Sequence, residues 1–279
     1  MLQIIWLEET ICQQIHLVGG KAANLAKLAN QFRVPPGFVI PQPSVPQSVI
    51  RDAYQRLGDL IGEAQFAVAV RSSATDEDSA AAAFAGQYES YLNIIGADAV
   101  CDAVELCWRS AGAERVVDYR RQHGLATQAH HLAVLVQALV PADVSAVVFS
   151  ANPVTQSRQE IIVNASWGLG ESIVGGTVTP DTFVIKADPT LRHPTQIITS
   201  QIADKTTMTV RSANGTQAVR VPTLLRTRPS IQAEEVLEMA QLALDLQATL
   251  GYPVDVECAY ATGKLYLLQC RPITTLAAA

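Results

Sequence analysis

The sequence has no apolar run long enough to cross a bilayer as a helix, which takes about 20 residues. Its start, Met1-Leu2-Gln3-Ile4-Ile5-Trp6-Leu7-Glu8-Glu9, lacks the basic segment of a secretory signal and reads as a first strand. Nor is there a basic block or an interleaving of aromatics with cations. The 20 Lys and Arg stand against 26 Asp and Glu, a net charge of −6, which argues against nucleic acid as the main partner. Cysteine is sparse and odd in number: Cys12, Cys101, Cys107, Cys258 and Cys270 show no Cys-x-x-Cys spacing and read as reduced, buried thiols of a cytoplasmic protein. His130-His131 has no partner at metal-ligand spacing, and no Ser/His/Asp or Cys/His arrangement supports a covalent hydrolase. Two phosphate-binding signatures are also missing. Ala22 follows Lys21 where a Walker A loop needs Ser or Thr, and Ser172-Ile173 after Gly168-Leu169-Gly170-Glu171 breaks a dinucleotide fingerprint.

What is present is a chain of 279 residues, enough for one large domain or two lobes. Val18-Gly19-Gly20-Lys21 opens a helical stretch to about Ala29, closed by Pro35-Pro36-Gly37 before a strand at Phe38-Val39-Ile40. Pro41, Pro43 and Pro46 form a stiff connector to an amphipathic helix from Ser48 to Ile61, with Ile50, Tyr54, Leu57 and Ile61 on one side. The strand Ala67-Val68-Ala69-Val70 then delivers Arg71 into a polar loop. Small residues from Ala80 to Gln87 suit a mobile lid. Tyr88 to Ile94 alternates as a strand, and Asp98 to His123 reads as helix. Leu132 to Val140 and Val144 to Ser150, joined by Pro141-Ala142-Asp143, carry a hairpin signal, and Asn214-Gly215 marks a second within Thr195 to Val221. Ser230 caps a helix ending at Gly251. With no internal repeat and no long linker, hairpins mixed with helices indicate an α+β fold.

Chemistry concentrates at the far end. Val254-Asp255-Val256-Glu257 and Leu265-Tyr266-Leu267-Leu268-Gln269-Cys270-Arg271 alternate as strands that project an acid, an amide and a guanidinium. Such groups inside apolar strands require partners. Oxygen ligands beside a fixed cation suit a Mg²⁺-phosphate group, while a structural salt bridge between Glu257 and Arg271 fits equally. Lys21, after two glycines near a helix start, suits phosphate, but on local evidence alone it reads more readily as a solvated lysine at a tight turn. Arg71, ending an apolar strand, either meets a ligand or pairs with Asp76, Glu77 or Asp78.

The ordered set Val18-Gly19-Gly20-Lys21-Ala22-Ala23-Asn24-Leu25, Val34-Pro35-Pro36-Gly37-Phe38, Val70-Arg71-Ser72-Ser73-Ala74, Phe84-Ala85-Gly86-Gln87, Asn152-Pro153-Val154-Thr155, Gly168-Leu169-Gly170-Glu171, Pro180-Asp181 and Gln269-Cys270-Arg271-Pro272 resembles the nucleotide-binding domain of phosphoenolpyruvate synthase, pyruvate phosphate dikinase and rifampicin phosphotransferase. The resemblance runs from residue 15 to 274. It implies an ATP-grasp fold whose lobes, residues 1–130 and 131–279, close over ATP and Mg²⁺. By the same resemblance Lys21 and Arg71 hold phosphates, and Gly86 meets the terminal phosphates through its backbone. Gln137 and the backbone near Leu139 read adenine, Glu257 and Gln269 bind Mg²⁺, and Arg271 steadies charge on the transferred group. The stretch from Ile40 to Arg71 implies a trimmed N-terminal subdomain. No Ser-His or Thr-His loop follows Thr274, so the expected reaction passes a phosphoryl or pyrophosphoryl group from ATP, which ends as AMP, to a histidine on a separate swivelling domain or protein. Direct phosphorylation or ligation of a small molecule, and ATP binding without turnover, are the competing expectations.

Overall fold

The computed structural model describes residues 3–75, 89–110, 132–188, 193–213 and 215–276. Gly86 and the rest of the lid-like segment from Ala80 to Gln87 lie outside them, as does the expected helix beyond Ser110. No helix among the described residues is long and apolar enough to cross a membrane. The chain divides into two compact units, Met1–Leu139 with Ser212–Thr216, and Val140–Arg211 with Gln217–Ala279.

Unit 1 is built on an antiparallel sheet of β1 (Ile5–Trp6), β2 (Gly37–Ile40), β3 (Ala67–Ala74), β4 (Ser90–Ile95) and β5 (Leu132–Ala138), in the order β1-β2-β5-β3-β4. Its even-numbered positions, Phe38, Ile40, Val68, Val70, Val134 and Val136, form one core with α2 (Gln47–Ile61) and α3 (Ala97–Ser110). The expected stripe on α2 is the one that packs: Ile50, Tyr54 and Leu57 are buried, and Ile61 lies against them. Tyr54 completes this layer by donating its hydroxyl to the Phe66 carbonyl at 2.7 Å. The odd-numbered positions face the other way, towards α1 (Ile15–Leu28). Helix α1 is broken at Gly19, whose φ of 78° and ψ of 169° are not helical.

Unit 2 carries a second antiparallel sheet, with β6 (Val144–Phe149), β7 (Glu160–Trp167), β8 (Asp181–Asp188), β9 (His193–Gln201), β12 (Val254–Ala261) and β13 (Lys264–Pro272) in the order β13-β12-β6-β7-β8-β9. Strands β10 (Thr207–Arg211) and β11 (Thr216–Arg220) form a separate ribbon around Gly215, as the Asn214-Gly215 signal requires. One face of the large sheet, with Val256, Cys258, Ala146, Val148, Val163 and Phe183, is buried with α4 (Ala233–Leu250). Tyr260 donates its hydroxyl to Glu238 of that helix. The opposite face is half exposed along Val147, Asn164, Thr182 and Glu257.

The α+β class stands, and three local expectations change. Strands β5 and β6 do not form a hairpin. Pro141-Ala142-Asp143 carries the chain out of one unit and into the other, and the two strands join different sheets. The compact units therefore part after Leu139 rather than after residue 130, and β5 lies in the middle of the first sheet. Ser230 does not cap α4. That role belongs to Gln232, joined to Glu235 in a capping box.

Ser230 serves a buried ion pair instead. Lys205 Nζ lies 2.5 Å from Asp181 Oδ1, and both side chains are wholly buried. The Ala203 N–H donates to the same oxygen at 2.9 Å, while the Ser230 N–H and hydroxyl donate to Asp181 Oδ2 at 2.7 and 2.8 Å. The carboxylate is thus satisfied on both oxygens and joins β8, the segment before β10 and the approach to α4. All five cysteines are buried and none is in a disulfide, and burial pushes the Cys12 thiol up to about 12. We expect Lys205→Met to cost about 3–5 kcal/mol in urea unfolding, because it strands a buried carboxylate. Joining it to Asp181→Leu should restore much of the loss; a double variant as unstable as the sum of the singles would refute this account.

Candidate functional site

In unit 1 the break at Gly19 brings the start of the second segment of α1 against the end of β3. A side chain at Gly19 would place its Cβ 2.0 Å from the Ser73 carbonyl oxygen, so only glycine allows this approach. The Ser73 hydroxyl accepts from the Ala22 N–H at 3.1 Å, meeting one of the backbone donors that a helix start leaves without an internal partner. Lys21 is buried and donates from Nζ to the Ser72 carbonyl at 2.9 Å. Arg71 is half exposed on the same β3 face as Ser73, in register with Leu135 of β5. Lys21 and Arg71, 50 positions apart in a reading of the sequence, are therefore joined through the Arg71-Ser72-Ser73 backbone.

Gln137 lies on this face as well, opposite Gly37 and Ala69. Its buried amide donates from Nε2 to the Pro35 carbonyl at 3.0 Å. The Leu139 N–H donates to the Ala67 carbonyl at 2.9 Å. Both groups expected to read a base thus hold the strand ends of the sheet.

In unit 2 the decisive geometry is the register of β12 on β13. Glu257 stands opposite Gln269 and Asp255 opposite Arg271, with a bulge between Glu257 and Cys258. The four side chains share the half-exposed face. The salt bridge that the sequence allows between Glu257 and Arg271 is made by Asp255 instead: Arg271 Nε and Nη2 both lie 2.8 Å from Asp255 Oδ2. Asp255 Oδ1 is buried without a hydrogen-bond partner. Burial pushes the Asp255 carboxyl above the usual range, the charge and hydrogen bond of Arg271 pull it down, and Glu257 pushes it further up.

Hard oxygens on this face fit Mg²⁺: the Glu257 carboxylate, the Gln269 amide oxygen and the orphaned Asp255 Oδ1. Among the described residues no three His, Cys, Asp or Glu side chains gather into a metal cluster. That is compatible with Mg²⁺, which is held by one or two carboxylates and completes its shell with phosphate oxygens and water. Asp255 and the Ser72-Ser73 pair are the site features that residue-by-residue reading passes over. Two positions before Glu257 on the same strand face, Asp255 carries its signal in the spacing.

Comparison with known proteins shows the family of the chain. Residues 41–279 match the pyruvate phosphate dikinase, AMP/ATP-binding domain family. The chain belongs to that family. Phosphoenolpyruvate synthase from Pyrococcus furiosus is 40% identical over 84% of this chain and 29% of its own length. Rifampicin phosphotransferase from Bacillus subtilis is 36% identical over 85% of this chain and 27% of its own length. The chain thus spans less than a third of the length of these two relatives. Among solved structures, a D-alanine–D-alanine ligase from Bacillus anthracis complexed with ATP aligns over 95% of this chain and 57% of its own, at 10% identity and a TM-score of 0.39. The Gly19 approach in unit 1 yields a direct test. Gly19→Ala should cost more than 2 kcal/mol in chemical unfolding, combining a left-handed φ with a backbone clash, whereas Gly62→Ala, at φ 77° in open space, should cost about 1. Equal losses at the two positions would show that the close approach to Ser73 is not maintained.

Proposed function

We propose that this domain binds Mg-ATP in an ATP-grasp manner and passes a phosphoryl or pyrophosphoryl group towards a histidine on a separate swivelling domain or protein, with ATP ending as AMP. The observation that carries the reading is the β12–β13 register, which sets two oxygen ligands and a held guanidinium side by side on one half-exposed face. In this reading Glu257 and Gln269 hold Mg²⁺, which neutralises phosphate charge when bound. Arg271 steadies the charge on the transferred group, and Lys21 and Arg71 take phosphates from unit 1. Gly86 completes the expected set through its backbone. Phosphoryl transfer is mainly positioning and charge neutralisation, so cations fixed by rigid strands are the equipment it needs. With the Gln137 amide on Pro35 and the Leu139 N–H on Ala67, the reading assigns adenine contacts to other backbone groups around Leu139.

Calorimetry with ATP should show Mg²⁺-dependent binding in the micromolar to millimolar range. An intact, folded protein that binds ATP under neither condition would rule the reading out. Arg271→Ala should lower turnover by roughly 10²-fold while leaving the fold intact, since it removes a preorganised charge. A variant that melts earlier yet turns over normally per folded molecule would assign Arg271 a structural task alone. Nucleotide chromatography should find little AMP from this chain by itself and more when the histidine carrier is supplied; rapid AMP formation with a small molecule and no carrier would favour direct transfer.

A further inference from the structure

We infer that Asn93 anchors the β10–β11 ribbon in unit 1 and that the ribbon is a strap through which the two units unfold as one system. The inference does not depend on the nucleotide reading. It starts from the course of the chain. Having left unit 1 after Leu139, the chain returns to it for Ser212–Thr216 alone and then leaves again. Those residues are the end of the ribbon, while the rest of β10 and β11 belongs to unit 2. So short a visit lasts only if a group in unit 1 holds the turn.

Asn93 of β4 is such a group. Its side chain is buried, and Nδ2 donates to the Ser212 carbonyl at 2.7 Å and to the Gly215 carbonyl at 2.6 Å, 119 and 122 residues along the chain. The Ser212 N–H closes the same turn on the Gly215 carbonyl at 2.9 Å. The strand is deformed where this happens. Val68 pairs with Ile94 and Val70 with Tyr91, so Leu92 and Asn93 together oppose Ala69, and Asn93 takes a left-handed φ of 59°. Asparagine tolerates that conformation better than most residues, and a bulge re-aims a side chain out of the regular alternation. The ribbon is fixed at its other end as well. The Thr209 carbonyl accepts from the Leu169 N–H at 2.9 Å, and a Cβ on Gly168 would lie 2.3 Å from the same oxygen. Just before β10, Lys205 is bound to Asp181. A two-stranded ribbon is marginal by itself. Held at both ends, it carries a loss of structure in one unit into the other.

The test is native-state hydrogen exchange of the whole chain at rising urea concentration, read by mass spectrometry. Peptides of β3 and β5 report on unit 1, those of β6 and β7 on unit 2, and residues 207–220 on the ribbon. In the wild type the slowest amides of both units should exchange through one opening, with a common urea dependence. Asn93→Gly keeps the left-handed φ and removes the amide, while Asn93→Asp keeps the shape and turns acceptors towards both carbonyls. In each variant the ribbon should exchange about tenfold faster, the effect of one or two net hydrogen bonds, and the two units should open at different urea concentrations. Gly62→Ala, a change elsewhere in unit 1, should instead lower protection in both units together. Unchanged ribbon exchange in the Asn93 variants, openings that stay coincident in them, or separate openings already in the wild type would each overturn the strap. The wild-type measurement decides alone if neither Asn93 variant folds: one common opening, with the ribbon protected until it occurs, is the result expected.

Discussion

The one-residue bulge between Glu257 and Cys258 is the constraint on which the polar face of unit 2 depends. Counting back from the turn, Ala261 pairs with Lys264, Tyr260 with Leu265, Ala259 with Tyr266 and Cys258 with Leu267. An unbroken ladder would continue with Glu257 opposite Leu268 and would set Arg271 against Val254. The bulge absorbs Leu268 and advances β13 by one position. Glu257 then meets Gln269, and Asp255 meets Arg271. Bulges re-aim side chains in this way beside functional sites, at the expense of a ladder hydrogen bond. The bulge also keeps the apolar face intact, because it sets Val256 opposite Cys270, both buried, where the unbroken ladder would set Val256 opposite Gln269.

Unit 1 solves a similar problem with a glycine rather than a bulge. A continuous helix through residues 15–28 would carry its backbone past the end of β3. The left-handed break at Gly19 lets the chain close to contact distance with Ser73, and from there Lys21 reaches the Ser72 carbonyl. The two halves of the polar equipment thus share a design in which a backbone irregularity, inside an otherwise regular element, delivers charged side chains that regular geometry would misplace.

That design explains how much the sequence discloses. Periodicity is enough to place α2 and to mark β12 and β13, because burial on one side leaves a repeating apolar signature. It also separates Glu257 from the apolar face, but Gln269 and Arg271 share the parity of the buried Leu265 and Leu267 until the bulge shifts them. It does not set their register, since alternation is the same whichever residue of the partner strand stands opposite. Pro141-Ala142-Asp143 has the composition of a hairpin turn and instead conducts the chain between sheets, a difference decided by long-range pairing of β5 with β2 and β3 and of β6 with β7 and β12. Ser230 looks like a helix cap because its local neighbours suit one. The buried carboxylate of Asp181, 49 residues earlier, takes its hydroxyl and its N–H. Gln137 and Leu139 are similar cases, with partners at Pro35 and Ala67 that no local pattern announces.

The strand orders have a further consequence, for the timing of assembly. In the first sheet β5 lies between β2 and β3, so the β1–β2 and β3–β4 pairs are not joined into one sheet until the last of the five strands has left the ribosome. In the second, β12 inserts between β13 and β6, and the Val254 N–H finds its Ser150 acceptor 104 residues back along the chain. The first sheet therefore cannot grow strand by strand from its N-terminal end, whereas β6 to β9 of the second can, with β12 and β13 joining last. Pairings of such long range are slow to find and leave open edges exposed while they are awaited. The β12–β13 ribbon, local and closed by the tight turn at Thr262-Gly263, can form early by itself; its docking onto β6 is then the step that commits the second unit to its native register.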